Sequence, residues 1–263
     1  MIDLHSHLLP GVDDGARSTE VSVGVLRRFA LDGVRVVVCT PHLRASRAAH
    51  ARAEACVDRL QRLREQAPDG PALERGWEIL LDEPGADLRA PHLALGGSSA
   101  VLVELPRGLA TSNATAELFR ISMSGVVPVL AHAERYAGAT PAVVREWRAA
   151  GAAIQIDAAS LAESGERGRV ARELLADGLA DVLASDNHGD ARALAPARRW
   201  LEDHGAAEQA VLLTDTNPER LLRNEPVLAV PPAPVRAGAL GRLRELIGAL
   251  PRPTPARRPT PRD

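Results

Sequence analysis

Two pairs of candidate metal ligands, each separated by one residue, stand far apart in the sequence. His5 and His7 lie in "MIDLHSHLLPGVDDGA" at the start, and Asp186 and His188 lie in "ASDNHG". Residues two apart on a β-strand project to the same side, so each pair presents two side chains to one space. Neutral imidazole and carboxylate are the usual ligands of Zn, Mn and Fe. One such pair is a weak signal, but its repetition indicates a metal site.

Further acids and histidines stand where other short apolar runs end: His42 of "TPH", Glu78 of "GWE", Glu104 of "VELP", His132 of "AHAER" and Asp157 of "IQIDA". Burying so many ionisable groups without partners is too costly, which favours bound cations. A single ion cannot use all of them and keep a position open for substrate, so more than one ion is expected. Two or three cations that polarise a phosphoryl oxygen and acidify water predict a hydrolase.

The elements that position these residues are predicted from alternating patterns. Short apolar runs of strand length alternate with amphipathic helical stretches, which predicts parallel strands joined by crossover helices, in an open sheet or a barrel. A barrel is favoured because the carboxyl ends of its strands share one face, where the acids and histidines would converge. The predicted strands lie within 1–7, 34–42, 73–81, 100–106, 126–134, 152–160 and 180–188, with 210–216 as an eighth candidate, and clear helical patterns cover 19–33, 142–151 and 170–178.

Composition sets the class of protein. The 263 residues are 45% hydrophobic and 25% charged, which is typical of a globular chain. The net charge of −2 gives no reason to expect nucleic acid or a membrane surface as a partner. Two cysteines make no disulfide framework, and neither a signal peptide nor a membrane-length apolar stretch is present, so we expect a soluble cytoplasmic protein. Residues 1–225 are predicted to form one domain, and 226–263 a Pro/Arg-rich tail, largely disordered, with one candidate helix.

The motifs, taken in order, resemble the polymerase-and-histidinol-phosphatase (PHP) superfamily. Within it the chain is similar to bacterial metal-dependent tyrosine-protein phosphatases of capsular and exopolysaccharide systems. "HSHLLPGVDDG" together with "AHAERY" is specific to that branch, and the resemblance covers Met1 to Glu225. It implies a single α/β domain built as a distorted (β/α)7 TIM-like barrel. It also implies three divalent metal ions, with Mn²⁺ favoured and Fe, Zn or Co as alternatives.

The resemblance assigns roles to individual residues. Arg135 of "AHAERY" becomes the catalytic, phosphate-binding arginine, and Arg192 a second phosphate contact for which Arg198 and Arg199 are alternatives. The implied reaction is attack on phosphorus by a hydroxide that the metals activate. The implied substrate is a phosphotyrosine protein, a tyrosine autokinase of polysaccharide assembly. The implied metal ligands are His5, His7, Asp14, His42, Glu78, Glu104, His132, Asp186 and His188.

Several alternatives stay open at this stage. Asp13 competes with Asp14 as the ligand, Glu134 either orients Arg135 or faces solvent, and Asp157 is expected to be a structural acid. Other functions are a phosphoesterase acting on a small molecule of the histidinol-phosphate type or on nucleic acid, and a catalytically silent metal-binding regulator. The absence of a basic, aromatic-interleaved groove pattern argues against nucleic acid. The retention of Arg135 and of every ligand position argues against a silent protein. Oligomeric state is not predicted.

Overall fold

The computed structural model describes residues 1–51, 53–67 and 69–235. Its strands are short, and every strand pairing within its sheets is parallel. They are β1 (Ile2–Ser6), β2 (Val36–Cys39), β3 (His42–Arg44), β4 (Ala72–Arg75), β5 (Glu78–Leu80), β6 (Ala100–Glu104), β7 (Val127–Leu130), β8 (Ala153–Asp157) and β9 (Val182–Ala184).

Helices connect most of these strands. They are α1 (Thr19–Leu31), α2 (Ala53–Gln66), α3 (Thr111–Met123), α4 (Pro141–Ala149), α5 (Glu166–Ala176), α6 (Leu194–Asp203), α7 (Ala207–Val211) and α8 (Asn217–Leu222). Two helices begin at capping residues: Ser18 accepts from the Val21 N–H before α1, and Thr140 precedes Pro141 at the start of α4. Among the described residues, no helix is both long and apolar enough to cross a lipid bilayer.

The strands form two parallel sheets, in the order β1-β2-β4 and β3-β5-β6-β7-β8-β9. The segment that follows β9 lies beside the end of β1, because the His7 N–H donates to the Asn187 carbonyl at 2.8 Å and the Asp186 N–H to the His5 carbonyl at 3.0 Å. The protein is therefore a mixed α/β single-domain fold whose parallel strands place their carboxyl ends along a common edge.

In several strands, alternate residues belong to two hydrophobic clusters. In β6, Val101 and Val103 join the larger cluster that includes the apolar faces of the helices, while Ala100 and Leu102 join a smaller one made largely of strand residues. We call the strand face that carries the smaller cluster the inner face. Side chains alternate along a strand, so the residue that follows on the inner face of β6 is Glu104. The apolar alternation thus positions a candidate ligand.

Two predicted strand runs are interrupted. The run 34–42 becomes β2 and β3, separated at Pro41, whose nitrogen carries no hydrogen to donate to a ladder. The run 73–81 becomes β4 and β5, separated at Gly76. A Cβ atom at Gly76 would lie 2.6 Å from Leu95 Cδ2, so the break includes a close approach that favours glycine.

The eighth candidate strand, 210–216, is wrong. This segment is helical, because α7 continues through a π-helical turn at Leu212–Thr216 directly into α8. Ala210 and Leu213 are buried three residues apart, and the Thr214 hydroxyl bonds the Ala210 carbonyl four residues back at 2.7 Å. A short apolar run does not by itself distinguish a strand from a buried helical turn, and here the helical spacing prevails.

Residues 226–235 pack against the α/β unit. Val230, Ala233 and Val235 are buried, and the Ala233 N–H donates to the Leu175 carbonyl at 3.0 Å. The buried Asn217 side chain bonds both polar atoms of the Leu228 backbone, accepting at 2.8 Å and donating at 3.0 Å. Ordered packing therefore continues past residue 225 to at least Val235. The predicted disorder and the candidate helix in 236–263 lie outside the described residues.

Asn217→Ala tests this attachment. The Asn217 side chain makes three hydrogen bonds, two to the Leu228 backbone and one to the Asp181 carbonyl at 3.0 Å. Its loss leaves the buried Asp181 carbonyl and both backbone groups of Leu228 without these partners, so the free energy of unfolding should fall by about 2–4 kcal/mol in urea denaturation. The exposed Asn113→Ala is the matched control and should change little. Equal stability of the two variants would contradict the attachment.

Candidate active site

The Nε2 atoms of His5 and His7 point toward each other. His7 Nδ1 lies 2.7 Å from Asp13 Oδ2, and His5 Nδ1 lies 3.0 Å from the amide oxygen of Gln155. Both oxygens only accept, so each Nδ1 carries a proton and donates it. The two Nε2 atoms then face each other, 3.1 Å apart, in a fully buried position. In the neutral rings two lone pairs converge there, an arrangement that a cation stabilises.

Two carboxylates complete this convergence. Glu78 Oε2 lies 3.4 Å from His5 Nε2 and 3.3 Å from His7 Nε2, and Asp186 Oδ1 lies 3.3 and 3.4 Å from the same atoms. Glu78 is buried, and its Oε2 atom also faces a third imidazole, that of His42. Paired imidazole nitrogens and carboxylate oxygens at these separations fit a bound divalent cation.

The titration of these groups reflects their mutual attraction. Burial alone would lower the pKa of His5, but the carboxylates of Glu78 and Asp186 raise it to about 9. Burial alone would raise the pKa of Glu78, yet His5, His132 and His42 hold it well below its usual range. The carboxylates therefore favour positive charge at the imidazoles. A divalent cation supplies that charge and releases the competing protons as it binds.

The other predicted ligands surround this pair. His42 Nδ1 and His132 Nε2 each lie 2.8 Å from Glu78, on its Oε2 and Oε1 atoms respectively. Asp14 Oδ1, on the exposed side, lies 3.3 Å from His42 Nε2 and 3.6 Å from His188 Nε2. Three groups have ligand atoms within 4.8 Å of one another: His7, Asp14, His42 and His188; His5, His7 and Asp186; and His42, Glu78 and Glu104.

Two of these residues have an unusual backbone. His132 has φ of 35° and Asp186 has φ of 48°, both in the left-handed region. Strained backbone of this kind concentrates at functional sites, where the surrounding structure enforces it. Here the His132 N–H is held by the Gln155 side chain at 3.1 Å and the Asp186 N–H by the His5 carbonyl. The strain turns both side chains toward the cluster.

Arg135 lies between two carboxylates, Asp157 and Asp186, and contacts both through Nη2. Burial alone would lower the pKa of Arg135, but these two acids raise it above its usual value. Arg192 Nη1 also reaches Asp186 Oδ2, at 2.9 Å. Asp186 thus joins the histidine cluster to two guanidinium groups.

The structure separates the three candidates for a second phosphate-binding arginine. Arg192 lies in the cluster. Arg198 bonds Glu202 at 3.0 Å and Thr214 at 3.4 Å instead, and Arg199 is exposed on α6. Arg192 therefore lies at the site, whereas Arg198 is engaged elsewhere.

Three polar residues at the site have roles that the sequence left open or missed. Asp13 accepts from His7 Nδ1, from the Gly15 N–H at 3.0 Å and from the His42 N–H at 3.1 Å, so it orients a ligand while Asp14 lies among the ligand atoms. Gln155 bonds His5 and the His132 N–H, and Asp157 contacts Arg135. Their spacing of two in "IQIDA", polar at alternate positions of a buried strand, was the available signal.

Glu134 does not face solvent. It is 3% exposed and accepts from the Asp157 N–H at 3.2 Å and from the Ser160 hydroxyl at 2.7 Å. Burial, and then the nearby Asp157 carboxylate, raise the pKa of Glu134 well above its usual range. Glu134 therefore supports the backbone of Asp157, which in turn contacts Arg135.

Parallel strands deliver buried histidines and carboxylates to one edge, and this donor set is that of a divalent-metal site in an α/β protein. The family described as "Capsular polysaccharide synthesis, CpsB/CapC" matches residues 1–223, and the chain belongs to this family. The resemblance inferred from the motifs is thereby confirmed, including its branch within the superfamily.

Characterised relatives align over most of the chain. Tyrosine-protein phosphatase YwqE of Bacillus subtilis is 30% identical, over 90% of this chain and 97% of its own. Tyrosine-protein phosphatase CpsB of Streptococcus pneumoniae is 28% identical, over 86% and 99%. A crystal structure from work on these two proteins, described as metal-dependent tyrosine phosphatases, superimposes with a TM-score of 0.75 at 27% identity, covering 90% of this chain and 100% of that one.

Asp13→Ala tests whether the carboxylate that accepts from His7 Nδ1 supports metal binding. The substitution keeps Asp14 and every other ligand side chain but removes the acceptor of His7 Nδ1 and of the His42 N–H, so metal affinity should fall by about 10- to 100-fold. The measurement is a chelator competition followed by metal analysis. The exposed Asp203→Ala is the control and should bind metal normally. Unchanged metal affinity in Asp13→Ala would show that His7 needs no such partner.

Proposed function

We propose that this chain is a metal-dependent phosphatase that hydrolyses phosphotyrosine on a protein. One observation carries the proposal: Asp186 contacts the facing atoms of His5 and His7 on one side and the guanidinium groups of Arg135 and Arg192 on the other. A phosphate monoester is a dianion that needs both cations and a planar hydrogen-bond donor. The names of the relatives, all aligned over most of this chain, support phosphotyrosine as the ester.

The proposed metal complement is three divalent ions, held by the three groups of ligand atoms described above, with His132 beside Glu78. Mn²⁺ is favoured, and Fe, Zn and Co suit the same mixture of imidazole and carboxylate ligands. When bound, such ions polarise the phosphoryl oxygens and acidify the attacking water.

The side chains of the protein do the remaining work. Arg135 keeps 30% of its side-chain area exposed, so N–H groups not held by Asp157 and Asp186 are available to phosphate oxygens. Arg192, 28% exposed, also pairs with Asp190 at 2.8 Å, and its remaining N–H groups offer a second donor. Both neutralise charge that grows on the phosphoryl group in the transition state. A tyrosine phenolate, with a pKa of about 10, leaves with little help from an acid.

No cysteine is suited to act as nucleophile in this reaction. Burial raises the pKa of the Cys39 thiol to about 12, and burial also raises the pKa of Cys56. Both are buried and neither forms a disulfide. The thiolate, which is the reactive form, is therefore suppressed at neutral pH.

A barrel architecture and the extent of the catalytic unit are also part of the proposal. If β2 and β3, and likewise β4 and β5, count as single interrupted strands, residues 1–235 as described contain seven strands, and the hydrogen bonds from His7 and Asp186 link the last to the first. These features support a distorted (β/α)7 barrel. We further propose that residues 1–225 carry the catalytic unit, that 226–263 form an appended tail, and that the enzyme acts in the cytoplasm on a tyrosine autokinase of polysaccharide assembly.

The substrate class is tested by direct comparison. The purified chain, supplied with Mn²⁺, should hydrolyse a phosphotyrosine peptide with a higher kcat/KM than histidinol phosphate or a phosphodiester, and a chelator should abolish the activity. Preference for histidinol phosphate would reassign the enzyme to small-molecule phosphates. Activity confined to the diester would refute the phosphatase assignment.

Arg135→Ala separates phosphate stabilisation from metal binding. The variant loses a charged donor aimed at the phosphoryl group but no metal ligand, so kcat should fall by about 10²- to 10³-fold while metal content stays normal. Steady-state kinetics and metal analysis of the same preparation give both values. Loss of bound metal in this variant would mean that Arg135 maintains the cluster instead.

A further inference from the structure

Gln155 is a fully buried amide in the middle of the cluster. It lies on β8 between Ala153, which belongs to the inner-face hydrophobic cluster, and Asp157. All three share the inner face because they are two residues apart. A buried amide is retained only where its polar atoms are paired, and each of the two Gln155 polar atoms has a partner in the active site.

The His132 backbone fixes which way the amide points. A backbone N–H can only donate, so the atom that faces it at 3.1 Å is the oxygen Oε1. The same oxygen lies 3.0 Å from His5 Nδ1, which must therefore donate as well. His5 is then left with Nε2 as its lone-pair atom, directed at His7, Glu78 and Asp186.

The other end of the amide reaches the catalytic arginine. Gln155 Nε2 donates to Asp157 Oδ1 at 3.0 Å, and Asp157 Oδ2 contacts Arg135. The Asp157 N–H is bonded in turn by the buried Glu134 carboxyl at 3.2 Å. Both the main chain and the side chain of Asp157 are thus fixed by hydrogen bonds within the protein.

We propose that Gln155 and Asp157 are positioning residues, Gln155 holding His5 toward the metal site and Asp157 holding Arg135 toward the phosphate. The inference rests on the proposed phosphatase function for the meaning of Arg135, but not for the contacts themselves. It predicts different effects for the two residues. Asp157→Asn weakens phosphate binding by Arg135 and leaves metal affinity nearly unchanged, whereas Gln155→Met weakens metal binding as well.

Asp157→Asn is nearly isosteric. It keeps an oxygen for Gln155 Nε2 and thereby turns its own amide N–H₂ toward Arg135, so an attractive contact becomes a repulsive one. The affinity of the metal-loaded protein for inorganic phosphate, measured by calorimetry, should fall by about 10-fold or more. Its metal affinity should stay within about 2-fold of that of the unmodified chain. Should Asp157→Asn prevent folding, Asp157→Ser supplies the same measurement.

Gln155→Met fills the same volume without polar atoms. His5 Nδ1 and the His132 N–H lose their acceptor and Asp157 loses its donor, so metal affinity should fall by about 10- to 100-fold in the chelator competition. This measurement needs no substrate and no activity. It therefore tests whether Gln155 positions His5 for metal binding, even if the chain proves to hydrolyse a different ester.

A double-mutant cycle shows whether Asp157 acts through Arg135. In the Arg135→Ala background, Asp157→Asn should change phosphate affinity by less than about 2-fold, because the residue it positions is absent. Asp181→Asn is the matched control: Asp181 is a buried acid paired with Arg148 at 2.8 Å, outside the cluster, and its loss should lower Tm but leave metal and phosphate binding unchanged.

Three results would overturn the inference: additive effects in the cycle, normal phosphate binding in Asp157→Asn, or normal metal affinity in Gln155→Met. Failure of the proposed function has a different signature, namely that the unmodified, metal-loaded chain does not hydrolyse phosphotyrosine peptides although it binds metal and phosphate.

Discussion

The structure depends on one electrostatic constraint, the convergence of buried imidazole nitrogens and carboxylate oxygens at His5, His7, Glu78 and Asp186. His5 Nε2 and His7 Nε2 lie 3.1 Å apart, and Glu78 and Asp186 approach both. Without positive charge among them, these nitrogen and oxygen atoms would repel one another and move apart. Parallel strands bring the atoms to one edge, and neighbouring acceptors fix the rings, so the fold holds in place an arrangement that a cation then stabilises.

Asp186 connects the imidazoles of the candidate metal site to the two arginines. The carboxylate faces His5 and His7 through Oδ1 and the guanidinium groups of Arg135 and Arg192 through Oδ2. One residue therefore belongs to the cation side and the anion side of the site at once. A bound cation and a bound phosphate dianion attract each other across this residue, so metal loading and phosphate affinity are expected to be thermodynamically linked.

The sequence was sufficient for the elements and ligands that follow simple periodicity, and it failed where tertiary contacts decide. Spacing of two predicted His5 with His7, and the alternation of strands and helices predicted a parallel α/β fold. The segment 210–216 is helical because its burial follows helical spacing, which apolar content alone does not reveal. Asp157 was expected to be a hydrogen-bonded structural acid and not a ligand, and it lies outside the groups of ligand atoms. Its contact with Arg135 could not be predicted, because Arg135 precedes it by more than a strand and nothing local in sequence indicates the contact.

The left-handed backbone at His132 and Asp186 limits which residues evolution can place there. Besides glycine, only asparagine, aspartate and histidine adopt that conformation with any frequency, and of these only aspartate and histidine are strong metal ligands. Cysteine is not among the tolerated types, so neither position has an easy mutational route to a thiolate. At these two positions the geometry of the main chain, as much as selection for activity, keeps the site suited to oxygen- and nitrogen-seeking metals.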